Sequence, residues 1–146
     1  MMRYIFKSIE KEKVLVIEEL NFIDVYLNFE KIRFSDHIKI TYNKDIQVQN
    51  QYIPPMLLMP FIENAFKHGG PIRNKKLEIN ITIIVNKSFL IFEIKNTNSI
   101  TKTQNLLSSV RGIANTKKRL EILIPNHQLR IDSTKDYYCV YLKIPF

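Results

Sequence analysis

The chain has 146 residues, 45% hydrophobic and 11% aromatic, which supports one packed domain and excludes intrinsic disorder. Its 22 Lys and Arg against 14 Asp and Glu leave a net charge of +8, but the cations are scattered, as in Lys75-Lys76 and Lys117-Lys118-Arg119, so no nucleic-acid partner is expected. Cys139 is the single cysteine, which excludes an internal disulfide and fits a reduced, cytoplasmic compartment with a buried structural thiol.

No stretch reaches the roughly 18 apolar residues of a membrane span, and the opening "MMRYIFKSIEKEK" lacks a signal-peptide core. Residues 1–15 read as the end of a helical segment that precedes the domain proper, 16–146. From Val16 to Phe34 the apolar residues Val16, Leu20, Ile23 and Leu27 recur at helical spacing, with Glu18, Glu19, Asp24 and Lys31 elsewhere on the wheel. "HIKITYN" then alternates Ile38, Ile40 and Tyr42 with polar residues, as a half-buried strand does.

Pro54 and Pro55 are expected in the first turn of a second helix that ends at Gly69-Gly70, with a kink at Pro60. "LEINITIIV" and "SFLIFEIKN" form two strands joined by a hairpin at Asn86-Lys87-Ser88. Residues 97–110 are polar and aperiodic and read as the longest loop. A third helix is expected to begin at Gly112 in "GIANTKKRLEIL", with Ile113, Leu120 and Leu123 on one side and Pro125 as its stop. Two more strands follow, Leu129–Ser133 and Tyr137–Ile144. Strands that come as hairpins predict an α+β fold, a two-layer α/β sandwich with a mixed or mostly antiparallel sheet.

On a helical wheel the second helix carries Leu58, Phe61, Ile62, Ala65 and Phe66 on one arc and Glu63, Asn64, Lys67 and His68 on the other. One reading is a solvated face with a Glu63–Lys67 pair one turn apart. The other is an anion and metal site. Asn64 offers a neutral oxygen to a hard cation, Lys67 and His68 offer donors to phosphate, and Glu63 is placed to orient or deprotonate a nucleophile. Gly112, expected at a helix start, adds a second candidate phosphate contact.

"IPPMLLMPFIENAFKHGG" resembles the N box of LytS-like (YehU-like) sensor histidine kinases. "EELNFIDVYLNFEKIRF" and "GIANTKKRLEILIPNHQLRI" resemble, in order, the same family's preceding helix and following glycine-box segment. The resemblance implies an ATP-binding catalytic domain of the GHKL superfamily, the Bergerat fold, with three helices on one face of a mixed sheet. It implies Mg2+ at Asn64, phosphate contacts at Lys67 and His68, and assistance to the acceptor histidine by Glu63. It also implies an ATP lid over residues 97–110 and nucleotide contacts at Asn96, Gly112 and Asn115.

The sequence departs from the family pattern at Asn96, where an adenine-binding Asp is usual, and at Asn98 and Val110, where glycines are usual. A degenerate, non-catalytic nucleotide-binding or scaffold module is the second reading. None of His37, His68 and His127 stands in the family's acceptor motif. The resemblance therefore implies that the phosphoacceptor histidine lies on an upstream segment absent from this chain, which by itself does not autophosphorylate. The implied partners are that helix, a response regulator and a second copy in the full-length protein, itself anchored in the cell membrane. No membrane contact is expected of this fragment.

Overall fold

In the computed structural model, residues 10–69, 76–98 and 106–146 are described. Their order is β1 (Val14–Leu15), α1 (Val16–Phe34), a 3-10 turn (Ser35–His37), β2 (Ile38–Ile46), β3 (Tyr52–Ile53), α2 (Met59–His68), β4 (Leu77–Val85), β5 (Phe89–Thr97), α3 (Leu106–Leu123), β6 (Gln128–Ser133) and β7 (Tyr137–Pro145).

Five strands form one mixed sheet in the order β2-β4-β5-β7-β6, with β2 parallel to β4 and the remaining pairs antiparallel. The short β1 and β3 pair separately, antiparallel, so Val14 and Leu15 are strand and not helix. Residues 10–13 are turn and irregular structure, and residues 1–9 of the expected leading helix lie outside the described residues.

Alternation decides which sheet face is covered. Ile79, Ile81, Ile83 and Val85 of β4, Phe92 and Ile94 of β5, and Val140 and Leu142 of β7 are all 2% exposed or less, in one cluster with residues of all three helices. Their neighbours Glu78, Asn80, Glu93 and Lys95 face outward. The α+β sandwich with its helices gathered over one sheet face is thus the observed architecture. Cys139, on β7, is only half-buried.

The periodicity of α1 is borne out, since Val16, Leu20, Ile23 and Leu27 are core residues. Glu19, however, is fully buried and Glu30 nearly so. Both stand on the apolar stripe's own period, three residues after Val16 and Leu27. The hairpin after β4 also forms as expected, with the Asn86 side-chain oxygen accepting from the Ser88 and Phe89 amides.

Two helix starts differ from expectation. The second helix begins at Met59 and not at Pro54, because Met56 has a left-handed φ of 55° that interrupts any helix. Pro60 therefore sits in the first turn, where a missing N–H costs nothing, and it does not kink the helix. The third helix begins at Leu106, six residues before Gly112, so Gly112 has no helix N-terminus to offer. Of the expected 97–110 loop, Thr97 belongs to β5 and 106–110 to α3, while 99–105 lie outside the described residues. Leu123, expected on the packed side of α3, is 49% exposed.

Candidate functional site

The arrangement begins with how α2 is held. The Glu19 carboxylate accepts from the Met56 amide at 2.8 Å and from the Leu58 amide at 3.1 Å, satisfying donors that precede the helix. Arg119 of α3 donates to the Pro55 carbonyl at 2.6 Å and to the Met56 carbonyl at 3.3 Å. The turn 55–58 is thereby tied to α1 by an acid and to α3 by a base.

With its start fixed, α2 buries Phe61, Ile62, Ala65 and Phe66 and turns its polar arc toward α3. Pro60, Glu63, Asn64, Lys67 and His68 line a cleft with Gly112 and Ile113 on the facing helix. Its described walls enclose about 90 Å³, room for a phosphate-sized group and well below the roughly 300 Å³ of sites that hold a whole small molecule. Asn64 is 8% exposed, while Glu63 and His68 are half-buried and Lys67 is exposed.

No ion pair joins Glu63 to Lys67 among the described residues, so the helix-surface pair does not form. A Cβ at Gly112 would meet nothing within 4 Å, so the glycine keeps this part of the wall low. The Thr116 hydroxyl donates to the Gly112 carbonyl at 2.9 Å, a back-bond common for threonine inside helices. Asn115, one turn on, is exposed and does not line the cleft.

Asn96 lies elsewhere, near the end of β5 and beside the last residue of the α2 segment. It is 2% exposed; its Nδ2 donates to the Thr97 carbonyl at 2.9 Å. Its Oδ1 is buried with no hydrogen-bond partner. A buried unpaired acceptor costs about 1–3 kcal/mol. Asn98 bridges to Gly69 and ties its amide to the Asp136 carbonyl at 2.8 Å.

Behind α2, the Tyr26 ring meets Phe66 edge-on at 5.6 Å. Burial, then the Glu30 and Glu63 carboxylates, push its hydroxyl pKa well above the ordinary range. The Arg33 guanidinium lies 3.3 Å from Glu30 Oε2 without the alignment of a hydrogen bond, since that oxygen has no hydrogen-bond partner. Glu19, Glu30 and Tyr26 were not expected near the site. For both acids the available signal was a carboxylate on a core-facing helical position.

No family model matches the chain. The sensor protein kinase HptS of Staphylococcus aureus is 36% identical over 83 residues, covering 57% of this chain and 16% of that protein. Among solved structures, the catalytic domain of histidine kinase ThkA superposes with a TM-score of 0.63 at 12% identity, covering 91% of this chain and 93% of that one. A structure of ThkA in complex with response regulator protein TrrA superposes with a TM-score of 0.56 at 11% identity, covering 99% of this chain and 46% of that one. In fold the chain matches the catalytic domain of histidine kinase ThkA, and in sequence it is similar to part of a sensor protein kinase.

Proposed function

We propose that this chain is the ATP-binding catalytic domain of a LytS-like (YehU-like) sensor histidine kinase and that the α2–α3 cleft takes the metal-bound phosphates of ATP. The observation that carries the reading is the facing of Asn64, Lys67 and His68 on one helix and Gly112 on the other across a phosphate-sized gap.

Asn64 offers a carboxamide oxygen of the kind Mg2+ prefers, and Mg2+ commonly takes few protein ligands beside phosphate and water. When bound, Mg2+ supplies neutralisation of the triphosphate charge. Lys67 and His68 donate to phosphate oxygens from the adjacent turn. Gly112 leaves room for the phosphates, and Asn115, which does not line the cleft, meets the nucleotide outside it. The unpaired Asn96 Oδ1 accepts from the adenine amino group, so Asn in place of Asp still fits the base.

In the transfer, the acceptor imidazole attacks the γ-phosphorus. A nitrogen–phosphorus bond forms, the β–γ bridging P–O bond breaks, and ADP leaves with the electron pair. Glu63 orients the imidazole and holds the proton of its other ring nitrogen. The acceptor histidine comes from an upstream helix of the full-length protein, which acts as a membrane-anchored homodimer and passes the phosphoryl group to a response regulator. The ThkA–TrrA complex supports that last partner by likeness.

Titration with a non-hydrolysable ATP analogue and Mg2+ tests the reading. Saturable binding that is lost in Asn64→Ala supports it. No binding at millimolar analogue sinks it. Transfer of γ-phosphate label to the acceptor helix supplied in trans separates a working kinase domain from a nucleotide-binding scaffold.

A further inference from the structure

We infer that Glu19 and Arg119 are positioning residues that set the width of the α2–α3 cleft by gripping the turn 55–58 between them. The inference rests on the proposed function and goes beyond it, since neither side chain lines the cleft.

The geometry is that of two antiparallel helices tied at one end. Arg119 holds the Pro55 and Met56 carbonyls just ahead of α2. From there α2 runs six residues from Leu58 to Asn64, about 9 Å at the rise of an α-helix, while α3 runs back seven residues from Arg119 to Gly112, about 10.5 Å. The two distances nearly match, so the tie and the cleft are opposite ends of one helix pair. A small change of angle at the tie therefore becomes a change of gap between Asn64 and Gly112.

Glu19 supplies the other half of the grip. Its fully buried carboxylate takes the Met56 and Leu58 amides while Arg119 takes the carbonyls of Pro55 and Met56. Met56 is thus held on both its N–H and its C=O, at a left-handed φ of 55° that a methionine adopts only under constraint. An unanchored turn would relax that residue and with it the axis of α2. Asn96, on β5, makes no hydrogen bond to Glu19, Arg119 or the turn, and meets the α2 segment at Gly69.

The test compares Mg2+-bound and metal-free analogue binding in wild type, Arg119→Met, Arg119→Lys and Glu19→Gln. Arg119→Met is expected to weaken the Mg2+ complex about 10-fold, as a misplaced contact does, with metal-free binding changed less than about twofold. Arg119→Lys, which keeps one donor, restores part of the loss, and Glu19→Gln, whose amide nitrogen faces one of the two N–H donors, weakens the Mg2+ complex in the same sense. If Arg119→Met binds the Mg2+ complex as wild type does while Asn64→Ala does not, the positioning role is overturned and the proposed function stands. If both forms of the ligand weaken equally and the melting temperature falls with them, the residues are merely structural and the inference fails. A wild type that binds no Mg2+ complex overturns both readings.

Discussion

Asn96 and Gly69 meet where the end of α2 crosses β5, and the absence of a side chain on Gly69 is what lets them. A Cβ there would stand 3.2 Å from Asn96 Nδ2 and 2.6 Å from Leu77 Cδ1, besides colliding with the Ala65 carbonyl oxygen. The glycine's φ of −61° is open to any residue, so close approach and not backbone freedom requires it. Gly69→Ala is therefore expected to lose about 1–3 kcal/mol by overpacking and to displace the Asn96 amide. Urea unfolding checks the first effect. A variant with wild-type stability would show that α2 and β5 can separate.

The Asn96 carboxamide gives one of its two N–H donors to the Thr97 carbonyl and has its acceptor unspent. An unspent acceptor favours a 6-amino purine over a 6-oxo one, whose oxygen would face it. ATP is expected to bind roughly 10-fold or more tightly than GTP, and Asn96→Ala to narrow that preference to about twofold. Competition binding with the two nucleotides decides it, and equal affinity in the wild type contradicts the role.

Glu63 is half-buried on the cleft wall with no ion pair to Lys67. Glu63→Gln keeps the shape and removes the base, so analogue affinity is expected to stay within about twofold while transfer to the acceptor helix slows by about 10²–10⁴. Single-turnover labelling in trans measures the step. Parallel losses in binding and transfer would assign Glu63 to nucleotide binding instead.

Burial raises the hydroxyl pKa of Tyr42, Tyr26 and Tyr138 above the ordinary value of 10.0. A phenol that holds its proton more tightly in the folded state stabilises fully below the unfolded pKa, and that contribution is lost as pH rises through the folded one. The contribution of these phenols is thus expected to be flat to about pH 10 and to fall above it. The Tyr42 hydroxyl is also buried, beside the Asp24 carboxylate but without a well-aligned hydrogen bond. Tyr42→Phe should therefore change stability at pH 8 by less than about 1 kcal/mol, because it removes a group without a well-aligned hydrogen bond, and should make the alkaline decline shallower. Urea melts at pH 8 and pH 11 report both, and an unchanged alkaline slope would remove Tyr42 from the account.

Much of the architecture was legible in the residues because period is a local property. The stripe Val16, Leu20, Ile23, Leu27 delimited α1, alternation marked the sheet strands, and the Asn86-Lys87-Ser88 connection was too short for anything but a hairpin. The polar arc of α2 was legible for the same reason, and with it the pairing of Asn64 with Glu63, Lys67 and His68. Tertiary contacts decided what periodicity cannot carry. A carboxylate on the core stripe reads as an exception until Met56 and Leu58 are seen donating to Glu19. That contact moved the start of α2 from Pro54 to Met59. The parallel pairing of β2 with β4, the approach of Gly112 to Asn64 in mid-helix, and the burial of Asn96 Oδ1 likewise depend on segments far apart in the chain. The residue types of the site were written locally, but the cleft between them exists only because three helices are packed on one sheet and tied at a single turn.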